Sequence, residues 1–483
     1  MNTTLEVELN DRVTSGRNAI VLGGSLAGFL AARVLSDYFD KVTIIERDTY
    51  PDSTVARRGV PHANHVHAML LRGRQILEQL FPGLQDEMIS AGAPLVDLAN
   101  DVTWFTRAGW GVRFPSDLKV LAFTRPLLDL HVRQRLELNH KVRILENTSV
   151  VGLTHKDDEK RVTGVIITTN HNDSEHAVTQ TLRADLVVDT TGRGSQTPRW
   201  LAEFGYPAPD ETVVDAHLGY ASRLYKIPKE FRGDWKCTII QRAAPQRKRG
   251  GIMFSVEGNR WLLTLIGGAR DYPPSDEVEF LEFARSLPVS TIYDAIKNAE
   301  PVSPIKTHRG TQNRLRHLEY PGHLPDNFLV LGDAACAFNP VYGQGMTVAA
   351  MGTLILDRVL RETDTSKGLS QRFQKELAKV NKGPWMMATS EDYRDKETEG
   401  GSPGLVSRFM HKYMDQVIKL STKDVMTRNV LLHTFNLLVP PSVLFHRAIV
   451  FRVLRQLLWP GTSSRIGSQN RPKTVTRTGA YQS

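Results

Sequence analysis

The chain of 483 residues is too long for one ordinary hydrophobic core, and its composition, 41% hydrophobic and 23% charged, is typical of globular proteins. Its only cysteines, Cys237 and Cys336, do not provide a disulfide framework or a cysteine zinc site. The polar N-terminus and the lack of an apolar run of about 18 residues predict neither a signal peptide nor a membrane-spanning helix, so we expect a cytoplasmic protein.

The net charge of +9 is concentrated near the C-terminus. Residues 401–483 contain twelve Lys and Arg against two acidic residues, so the first 400 residues are close to neutral. A basic segment of this kind can meet nucleic acid, an anionic membrane or an acidic partner. The basic run QRAAPQRKRGG (241–251) has no interleaved aromatic residues, and we therefore expect no nucleic-acid partner.

The first predicted elements are a strand, a glycine turn, a helix and a second strand. NAIVLGG is a strand-like apolar run, SLAGFLAARVLSDYF has the apolar spacing of a helix, and KVTIIERD is rich in β-branched residues. This order within about thirty residues is a βαβ unit. Its turn nearly spells the GxGxxG dinucleotide fingerprint, with serine in place of the second glycine.

The residues of this turn suit a nucleotide pyrophosphate. Gly23 permits the tight bend, Gly28 lets the helix lie close to the strand, and Ser25 is small enough for a phosphate to approach the backbone. The helix N-terminus offers free N–H groups and a partial positive charge. The predicted cofactor-binding residues of the turn are Gly23, Gly24, Ser25, Leu26, Ala27 and Gly28.

Glu46 ends the second strand, where a carboxylate accepts hydrogen bonds from an adenosine ribose. A carboxylate at this place would repel the 2′-phosphate of NADP. We include the neighbouring Arg47, and Val150 further along the chain, among the predicted cofactor-binding residues. The βαβ unit predicts nucleotide binding, but it does not separate NAD from FAD.

Three histidines, His62, His65 and His67, lie in the segment RRGVPHANHVHAML (57–70). They could form a metal cluster, a loop beside the cofactor in which one histidine bonds to cofactor or substrate, or a plain structural loop. The acids needed to complete a metal site are not grouped with them, so we predict no metal. Arg125 begins a predicted helix in TRPLLDLHVRQRL, which is the wrong end of the helix dipole for a cation, and an anionic ligand would explain it.

The middle of the chain predicts an antiparallel sheet. The segments TVVDAHLGYASRLYKIP, WKCTIIQRA, GGIMFSVEG and RWLLTLIGGA alternate in polarity and end in turn residues. SDEVEFLEFARSL then starts with serine and acids, which is typical of a capped helix. Further on, FLVLGDAA is a strand that runs into a turn, FNPVYGQG carries a proline and two glycines, and GMTVAAMGTLILDRVL is an apolar helix.

At these residues the sequence resembles the FAD-dependent single-component monooxygenases related to p-hydroxybenzoate hydroxylase (class A). The resemblance implies that Asp333 binds the flavin ribityl chain and that Gly343, Gly345 and Met346 lie beside the flavin ring. It also implies that Arg125 reaches the cofactor. The segments 57–70 and 384–400 and the long C-terminal tail are most similar to a subgroup that includes bacterial polyether epoxidases.

A middle motif, ADLVVDTTGRGSQTPRW, is also similar to the family pattern. Two threonines, Thr190 and Thr191, separate an Asp and a Gly that are adjacent in the usual form. This difference puts in doubt whether the loop also handles the nicotinamide cofactor. The residues that match the motif are Asp189, Gly192, Arg193 and Ser195.

The resemblance implies an α/β fold: a Rossmann-like FAD-binding domain, an inserted antiparallel-sheet substrate domain and a C-terminal helical segment. We place the FAD-binding domain at residues 1–90, 121–210 and 306–395, and the substrate domain at residues 91–120 and 211–305. Residues 396–460 form the helical region, with helices broken at Pro440–Pro441, and residues 461–483 a disordered tail. The helices either cap the substrate domain or contact a membrane peripherally through a basic amphipathic helix.

The function implied is that of a monooxygenase, in which a flavin hydroperoxide transfers one oxygen atom from dioxygen to a hydrophobic substrate. Epoxidation of a polyketide or isoprenoid alkene in secondary metabolism is the leading reaction. The electron source is NADH or NADPH, directly or through a separate flavin reductase. The candidate catalytic residues are His65, His67 and Gly343.

Three other functions stay open. The first is flavin-dependent halogenation, although the halogenase signature Trp-x-Trp-x-Ile-Pro does not occur in the sequence. The second is reduction or dehydrogenation of an isoprenoid. The third is a non-catalytic binding protein of the same fold.

Overall fold

The computed structural model describes residues 17–156, 160–169, 178–363, 367–458 and residue 472. The predicted disordered tail, 461–483, lies outside the described residues apart from residue 472. Strands fall into a parallel sheet, a large antiparallel sheet and three small sheets, and helices pack on them. This mixed α/β architecture confirms the predicted fold class.

The parallel sheet has five strands in the order β19 (Phe328–Val330), β11 (Leu186–Asp189), β1 (Asn18–Leu22), β2 (Lys41–Ile45) and β7 (Val142–Leu145). Four of them are buried along nearly their whole length, which is typical of a parallel sheet covered on both faces. The strands run in the same direction, so their carboxyl ends meet at one edge. Ligands of such sheets bind outside this edge.

The antiparallel sheet has seven strands in the order β17 (Lys306–His308), β13 (Gly219–Lys226), β16 (Arg260–Gly267), β15 (Arg249–Val256), β14 (Cys237–Ile240), β4 (Val102–Thr106) and β5 (Gly109–Trp110). One internal pair, β14 with β4, is parallel. The predicted alternating segments therefore supply β13, β14, β15 and β16 of this sheet, while the first residues of TVVDAHLGYASRLYKIP belong to a separate small sheet. Strand β17 still pairs with β13, so the chain leaves this sheet a few residues later than the predicted boundary at 305.

Three small sheets complete the strand content. They are β10 (Val178–Arg183), β9 (Arg161–Thr169) and β8 (Thr148–Lys156); β12 (Glu211–Val214), β18 (Asn313–Arg316) and β20 (Cys336–Ala337); and β3 (Leu95–Asp97) with β6 (Lys119–Leu121).

The α-helices of the described ranges are α1 (Leu26–Leu35), α2 (Leu71–Leu80), α3 (Leu84–Ser90), α4 (Arg125–Glu137), α5 (Thr197–Glu203), α6 (Glu277–Arg285), α7 (Thr291–Ile296), α8 (Gly345–Arg361), α9 (Leu369–Asp392), α10 (Leu405–Leu420), α11 (Val425–Phe435) and α12 (Arg447–Leu458). Short 3-10 turns span Pro61–Asn64, Gly192–Gly194, Gly332–Ala334, Pro340–Tyr342 and Pro441–Phe445.

Two separate hydrophobic cores support the two sheets. The first lies between the parallel sheet and helices that include α1, α8 and α9. The second joins the antiparallel sheet to α6 and α7. Helix α6 begins at Glu277, and its N-cap is Asp276, the residue after the serine that opens the predicted segment. The Asp276 side chain accepts hydrogen bonds from the N–H groups of Val278 and Glu279 at 2.9 and 3.0 Å.

The C-terminal helices have a small core of their own and pack against the substrate domain. Arg107, just after β4, forms ion pairs with Glu391 at 2.7 Å and Asp415 at 3.1 Å. The buried Arg428 guanidinium lies 5.0 Å from the Trp104 ring centre. As predicted, the helices are interrupted at Pro440–Pro441, and a 3-10 turn precedes α12. None of the described helices is both long and apolar enough to cross a bilayer.

Candidate cofactor and active site

The glycine turn after β1 holds its strand and helix in close contact. Gly23 has a φ of +91° and its N–H donates to the carbonyl of Ile45 at 2.9 Å. A Cβ atom on Gly28 would lie 1.9 Å from the Gly23 carbonyl oxygen. This distance leaves no space for any side chain at residue 28, as the fingerprint predicts.

Glu46 is tied to the same turn. Its carboxylate accepts a hydrogen bond from the Gly24 N–H at 2.8 Å and lies 3.2 Å from the guanidinium of Arg57. Arg57 and the Tyr50 hydroxyl both donate to the Gly24 carbonyl, at 2.9 and 2.5 Å. A carboxylate offers about four acceptor positions, so these contacts leave Glu46 able to accept from a ribose.

Of the two threonines inserted in the middle motif, Thr190 braces the turn from the other side and Thr191 bonds to Asp189. The Thr190 hydroxyl donates to the carbonyls of Leu22 at 2.7 Å and Gly23 at 2.9 Å. Asp189 is fully buried and accepts hydrogen bonds from the Thr191 backbone N–H and from the hydroxyls of Thr191, Ser195 and Thr197. The inserted residues therefore have a structural role beside the dinucleotide turn.

Arg125 reaches this turn from the start of α4. Its guanidinium donates to the Ser25 hydroxyl at 2.8 Å and to Asp129 at 2.7 Å, and the residue is 4% exposed. Pairing with Asp129 offsets the cost of burying the guanidinium. Ser25, which stands in place of the second glycine of the fingerprint, therefore has Arg125 as a cationic neighbour. A cation at this place suits the expected anionic ligand.

The second predicted motif meets the first across the edge of the parallel sheet. Gly332 has a φ of +68°, and a Cβ on it would lie 3.0 Å from the Cβ of Ala27. Asp333 follows, and positions for a Cβ on Gly192 and Gly345 lie 4.0 and 3.6 Å from its side chain. The structure therefore brings three of the predicted cofactor segments to one place.

Asp333 lines an internal cleft. Burial raises the pKa of its carboxyl, opposed by the charges of Arg193 and Arg125. The Arg193 guanidinium lies 3.8 Å from the carboxylate, yet 40% of the Asp333 side chain is accessible. The Asp333 side chain is therefore partly accessible where the predicted cofactor segments meet, which suits a ligand with hydroxyl donors.

The loop FNPVYGQG faces the histidine segment. Gly343 has a φ of +64°, and a Cβ on it would lie 3.4 Å from the Cβ of Ala68. Gly345 and Met346 begin α8 and are partly accessible. Gly343, one of the predicted flavin-ring residues, therefore lies against the segment that carries His67.

A buried network fixes this loop from behind. Asp392, at the end of α9, accepts hydrogen bonds from the Tyr342 hydroxyl and from the Asn313 amide at 2.6 Å. Asn313 accepts from the N–H of Asn339, whose own side chain accepts from the Tyr220 hydroxyl at 2.6 Å. Burial raises the pKa of Asp392 to about 6 despite these donors.

The histidines are neutral groups at the same cleft. The His65 Nδ1 lies 2.7 Å from the Ser222 hydroxyl, which lies 2.6 Å from that of Thr264. Burial lowers the pKa of His65 to about 4 and the pKa of His67 to about 3, and it also lowers the pKa of His62. Neutral imidazoles can exchange hydrogen bonds with a ligand without adding charge. Among the described residues, no group of His, Cys, Asp and Glu is arranged to hold a metal ion.

Acidification from about pH 7 to pH 5 is expected to destabilise the protein through His65. An unfolded histidine titrates near 6.5 and the buried one near 4, so the unfolded state binds the proton first and stability falls as the pH falls. The expected loss for this residue is about 2 kcal/mol over that interval. Denaturant unfolding at both pH values, with FAD saturating, measures it, and His65→Asn should show a correspondingly smaller fall.

The exposed His140 provides the control for this experiment. His140→Asn should retain the pH dependence of the wild type. Identical pH dependence in wild type and His65→Asn would contradict a neutral, buried His65.

The remaining predicted cofactor residues have different surroundings. Leu26 is buried under the turn, and Val150, on β8, is half-buried against the first core. The Arg47 side chain is exposed just after Glu46. None of these three assignments is tested further by the contacts of the described residues, and they stay predictions.

These features fit FAD. The close-packed turn suits a pyrophosphate, Glu46 suits a ribose, and the accessible Asp333 suits a hydroxylated chain that ends beside Gly343. A surface cleft of about 840 Å³ contains none of these residues and lies between loops of the antiparallel sheet, which include Arg107 and Pro245, and helix α10, which includes Lys419. Fold and site together define a flavoprotein with an inserted substrate domain.

Comparison with known proteins identifies the family. Residues 17–372 match the family model described as FAD binding domain. Protein Rv3254 of Mycobacterium tuberculosis (strain ATCC 25618 / H37Rv) is 31% identical over 376 residues, which cover 77% of this chain and 79% of that protein. The chain belongs to this family of FAD-binding proteins.

Solved structures show the same fold. The flavin-dependent brominase Bmp2 is 12% identical with a TM-score of 0.65, and the match covers 91% of this chain and 98% of that one. A flavoprotein/dehydrogenase from Cytophaga hutchinsonii is 13% identical with a TM-score of 0.63, covering 92% and 98%. PqsL, a probable FAD-dependent monooxygenase from Pseudomonas aeruginosa, is 16% identical with a TM-score of 0.58, covering 78% and 97%.

These comparisons confirm the resemblance to the p-hydroxybenzoate hydroxylase-like class, whose fold is shared by monooxygenases and halogenases. The polyether-epoxidase subgroup stays a prediction. Sequence reasoning missed Tyr50, Arg57 and the bracing role of Thr190. A signal existed for Arg57, because it begins the histidine segment, but its partner Glu46 is fixed only by the fold.

Proposed function

We propose that this protein is a FAD-dependent monooxygenase that inserts one atom of dioxygen into a hydrophobic substrate. Epoxidation of a polyketide or isoprenoid alkene is the leading reaction, with hydroxylation as its variant. The observation that carries the proposal is the meeting of the Gly343 loop with the neutral His65–His67 segment at the antiparallel sheet. Reduced FAD, when bound, supplies the activated oxygen.

The residues on the substrate side favour an apolar substrate. Val341, in the FNPVYGQG loop, and Ile252, on β15, are both half-buried and pack against a cluster that includes Tyr220 and Ile266. The cluster spans both domains at the loop that would face the flavin. Apolar walls at this place would orient an alkene and keep water away from the reacting atoms.

The neutral histidines would position the substrate or a proton. His65 is held by Ser222, and His67 Nδ1 lies 2.9 Å from the His65 carbonyl, so both rings are oriented by the protein. Neither would carry the oxygen, and their replacement should alter coupling between reduction and product formation without abolishing the reaction. General acid–base assistance would contribute about a hundred- to ten-thousandfold if one of them supplied it.

The electrons would come from NADH or NADPH, either directly or through a flavin reductase. Thr190 and Thr191 extend the middle loop and are occupied with the dinucleotide turn and with Asp189. Arg193 is the cation of that loop nearest Asp333, with its guanidinium 3.8 Å from the carboxylate. It also donates to the Gln312 carbonyl at 2.6 Å. Anaerobic reduction of the bound flavin by NADH, NADPH or a reductase would separate these sources.

Isotopically labelled dioxygen tests the reaction. With reduced protein and a panel of terpenoid and polyketide alkenes, one labelled oxygen atom should appear in the product and the other in water. Free FAD, reduced photochemically without the protein, provides the control and should give no labelled product.

Other results of this experiment would favour one of the three alternative functions. Label derived from water, or product formed without dioxygen, would contradict the monooxygenase and favour a dehydrogenase or reductase. Halogenated product in the presence of bromide or chloride would favour a halogenase. Purified protein that neither contains nor binds FAD would favour a binding protein of this fold.

A further inference from the structure

Helix α12 is apolar on two opposite faces. Ile449 and Val453 are buried in the core of the C-terminal helices. On the other side, Phe451, Leu454 and Leu458 are 66%, 51% and 69% exposed, at the i, i+3, i+7 spacing of one helix face. These three residues, with the exposed Leu457, form what we term the outer face. A polar outer side would be expected if water were its only neighbour.

The neighbouring helix carries further exposed apolar residues. Helix α12 packs on α10, where the Gln456 amide donates to the Gln416 carbonyl at 3.1 Å. Leu405 and Phe409, at the start of α10, are 84% and 69% exposed. The exposed apolar surface therefore belongs to a two-helix unit. Several large apolar side chains exposed on two helices that pack together indicate an interaction site in a folded protein.

The charges that the C-terminal segment itself contributes are almost all positive. The two acids of residues 401–483 are already neutralised: Asp415 pairs with Arg107 and Arg394, and Asp424 pairs with Arg452 at 2.8 Å. Within the described part of the chain, four cations of these helices and of the turn after α10 have no ion-pair partner: Lys412, Lys423, Arg447 and Arg455. Arg408 and Lys419 line the separate cleft beside Arg107. Residues 459–483 add four Lys and Arg and no acid to the sequence.

Exposed apolar side chains together with unpaired cations indicate which kind of partner this surface binds. A second copy of the chain would place these cations against their own equivalents, which opposes association. An anionic lipid surface satisfies the apolar side chains and the cations at once. We propose that the outer face of α12, together with Leu405 and Phe409 of α10, binds an anionic bilayer from one side.

The contact is interfacial. Helix α12 has twelve residues, and about 20 would be needed to cross the hydrocarbon core. Its buried side, which includes Val453, packs in the core of the C-terminal helices. The aromatic and leucine side chains would enter the headgroup boundary while Arg447 and Arg455 meet lipid phosphates. The proposal does not depend on the oxygenase reaction.

Vesicle co-sedimentation with the full chain, loaded with FAD, tests the proposal. Wild type should pellet with vesicles of equal parts phosphatidylcholine and phosphatidylglycerol at low salt. It should stay in the supernatant with phosphatidylcholine alone and be released at high salt, because screening removes the charge attraction. Phe451→Ser with Leu454→Ser should weaken binding by more than about tenfold, and Arg447→Gln with Arg455→Gln by roughly tenfold.

Matched substitutions far from the surface control for general effects. Leu138, at the end of α4, is 81% exposed, and Arg285, on α6, has a side chain that is 63% exposed. Leu138→Ser and Arg285→Gln should bind vesicles as the wild type does, and bound flavin absorbance reports folding of every variant. Wild type that never pellets, or pellets equally after the paired substitutions, would overturn the proposal. A dimer in sedimentation velocity that the serine substitutions dissociate would assign the face to a second copy and would also overturn it.

Discussion

Replacing Gly28 with valine is expected to weaken FAD binding by roughly a hundredfold and to destabilise the first domain. Even a Cβ atom at this residue would lie 1.9 Å from the Gly23 carbonyl oxygen and 2.9 Å from the Thr190 hydroxyl. The nearest obstacle is backbone, which cannot rotate away, so the turn that receives the pyrophosphate must open. Strain of about 3 kcal/mol corresponds to roughly a hundredfold loss of affinity. Flavin content after purification and FAD titration of the apoprotein measure the effect.

A second helical glycine provides the control for this substitution. Gly383, within α9, has no neighbouring atom within 4 Å of the position that a Cβ would take. Gly383→Ala should keep full flavin content, whereas Gly28→Ala should already lose most of it. Normal FAD binding by Gly28→Val would show that the turn after β1 is not the pyrophosphate site.

Asp333→Ala is expected to lower FAD affinity by roughly ten- to a hundredfold. The carboxylate faces the internal cleft and is available to accept from a ribityl hydroxyl, a charge-assisted bond that contributes about 1.5–3 kcal/mol. Its removal would also leave Arg193, 3.8 Å away, without this acid. Isothermal titration of the apoprotein with FAD gives the change directly.

The conservative variant separates hydrogen bonding from charge. Asp333→Asn keeps an acceptor oxygen and should lose less affinity than Asp333→Ala. Asp117 is exposed in a surface loop, and Asp117→Ala should bind FAD as the wild type does. Unchanged affinity in Asp333→Ala would contradict the placement of the second cofactor motif.

The elements predicted with the right type and position are those whose signal is local. The βαβ unit could be predicted because a five-residue strand with four buried residues, a glycine turn and a helical apolar spacing follow one another within thirty residues or so. The strands of the antiparallel sheet were predicted from alternating polarity, and one face packs on the second core. Strand β16 is nevertheless buried along nearly its whole length, because other side chains cover the second face. Strand β17, which begins directly after residue 305, is short and is defined only by its pairing with β13, and a local pattern does not predict such a strand.

The candidate site divides in the same way. The sequence by itself determined the glycine turn, Glu46, Arg125 and the loop that contains Asp333, because their spacing along the chain carries the chemistry. It did not determine that Arg57 lies on Glu46 or that Asp392 supports Tyr342 from 50 residues away.

Only the tertiary structure decided which of these segments share one cleft. Parallel strands bring their carboxyl ends to one edge, so Thr190 bonds to Leu22 across 168 residues and Gly332 packs on Ala27. The periodicity of a sequence reports which face of an element is buried, but it contains no information on which distant element covers that face. For the same reason, the sequence predicted basic helices near the C-terminus, whereas the packing of α12 in the core of the C-terminal helices decides that Phe451 and Leu458 are exposed.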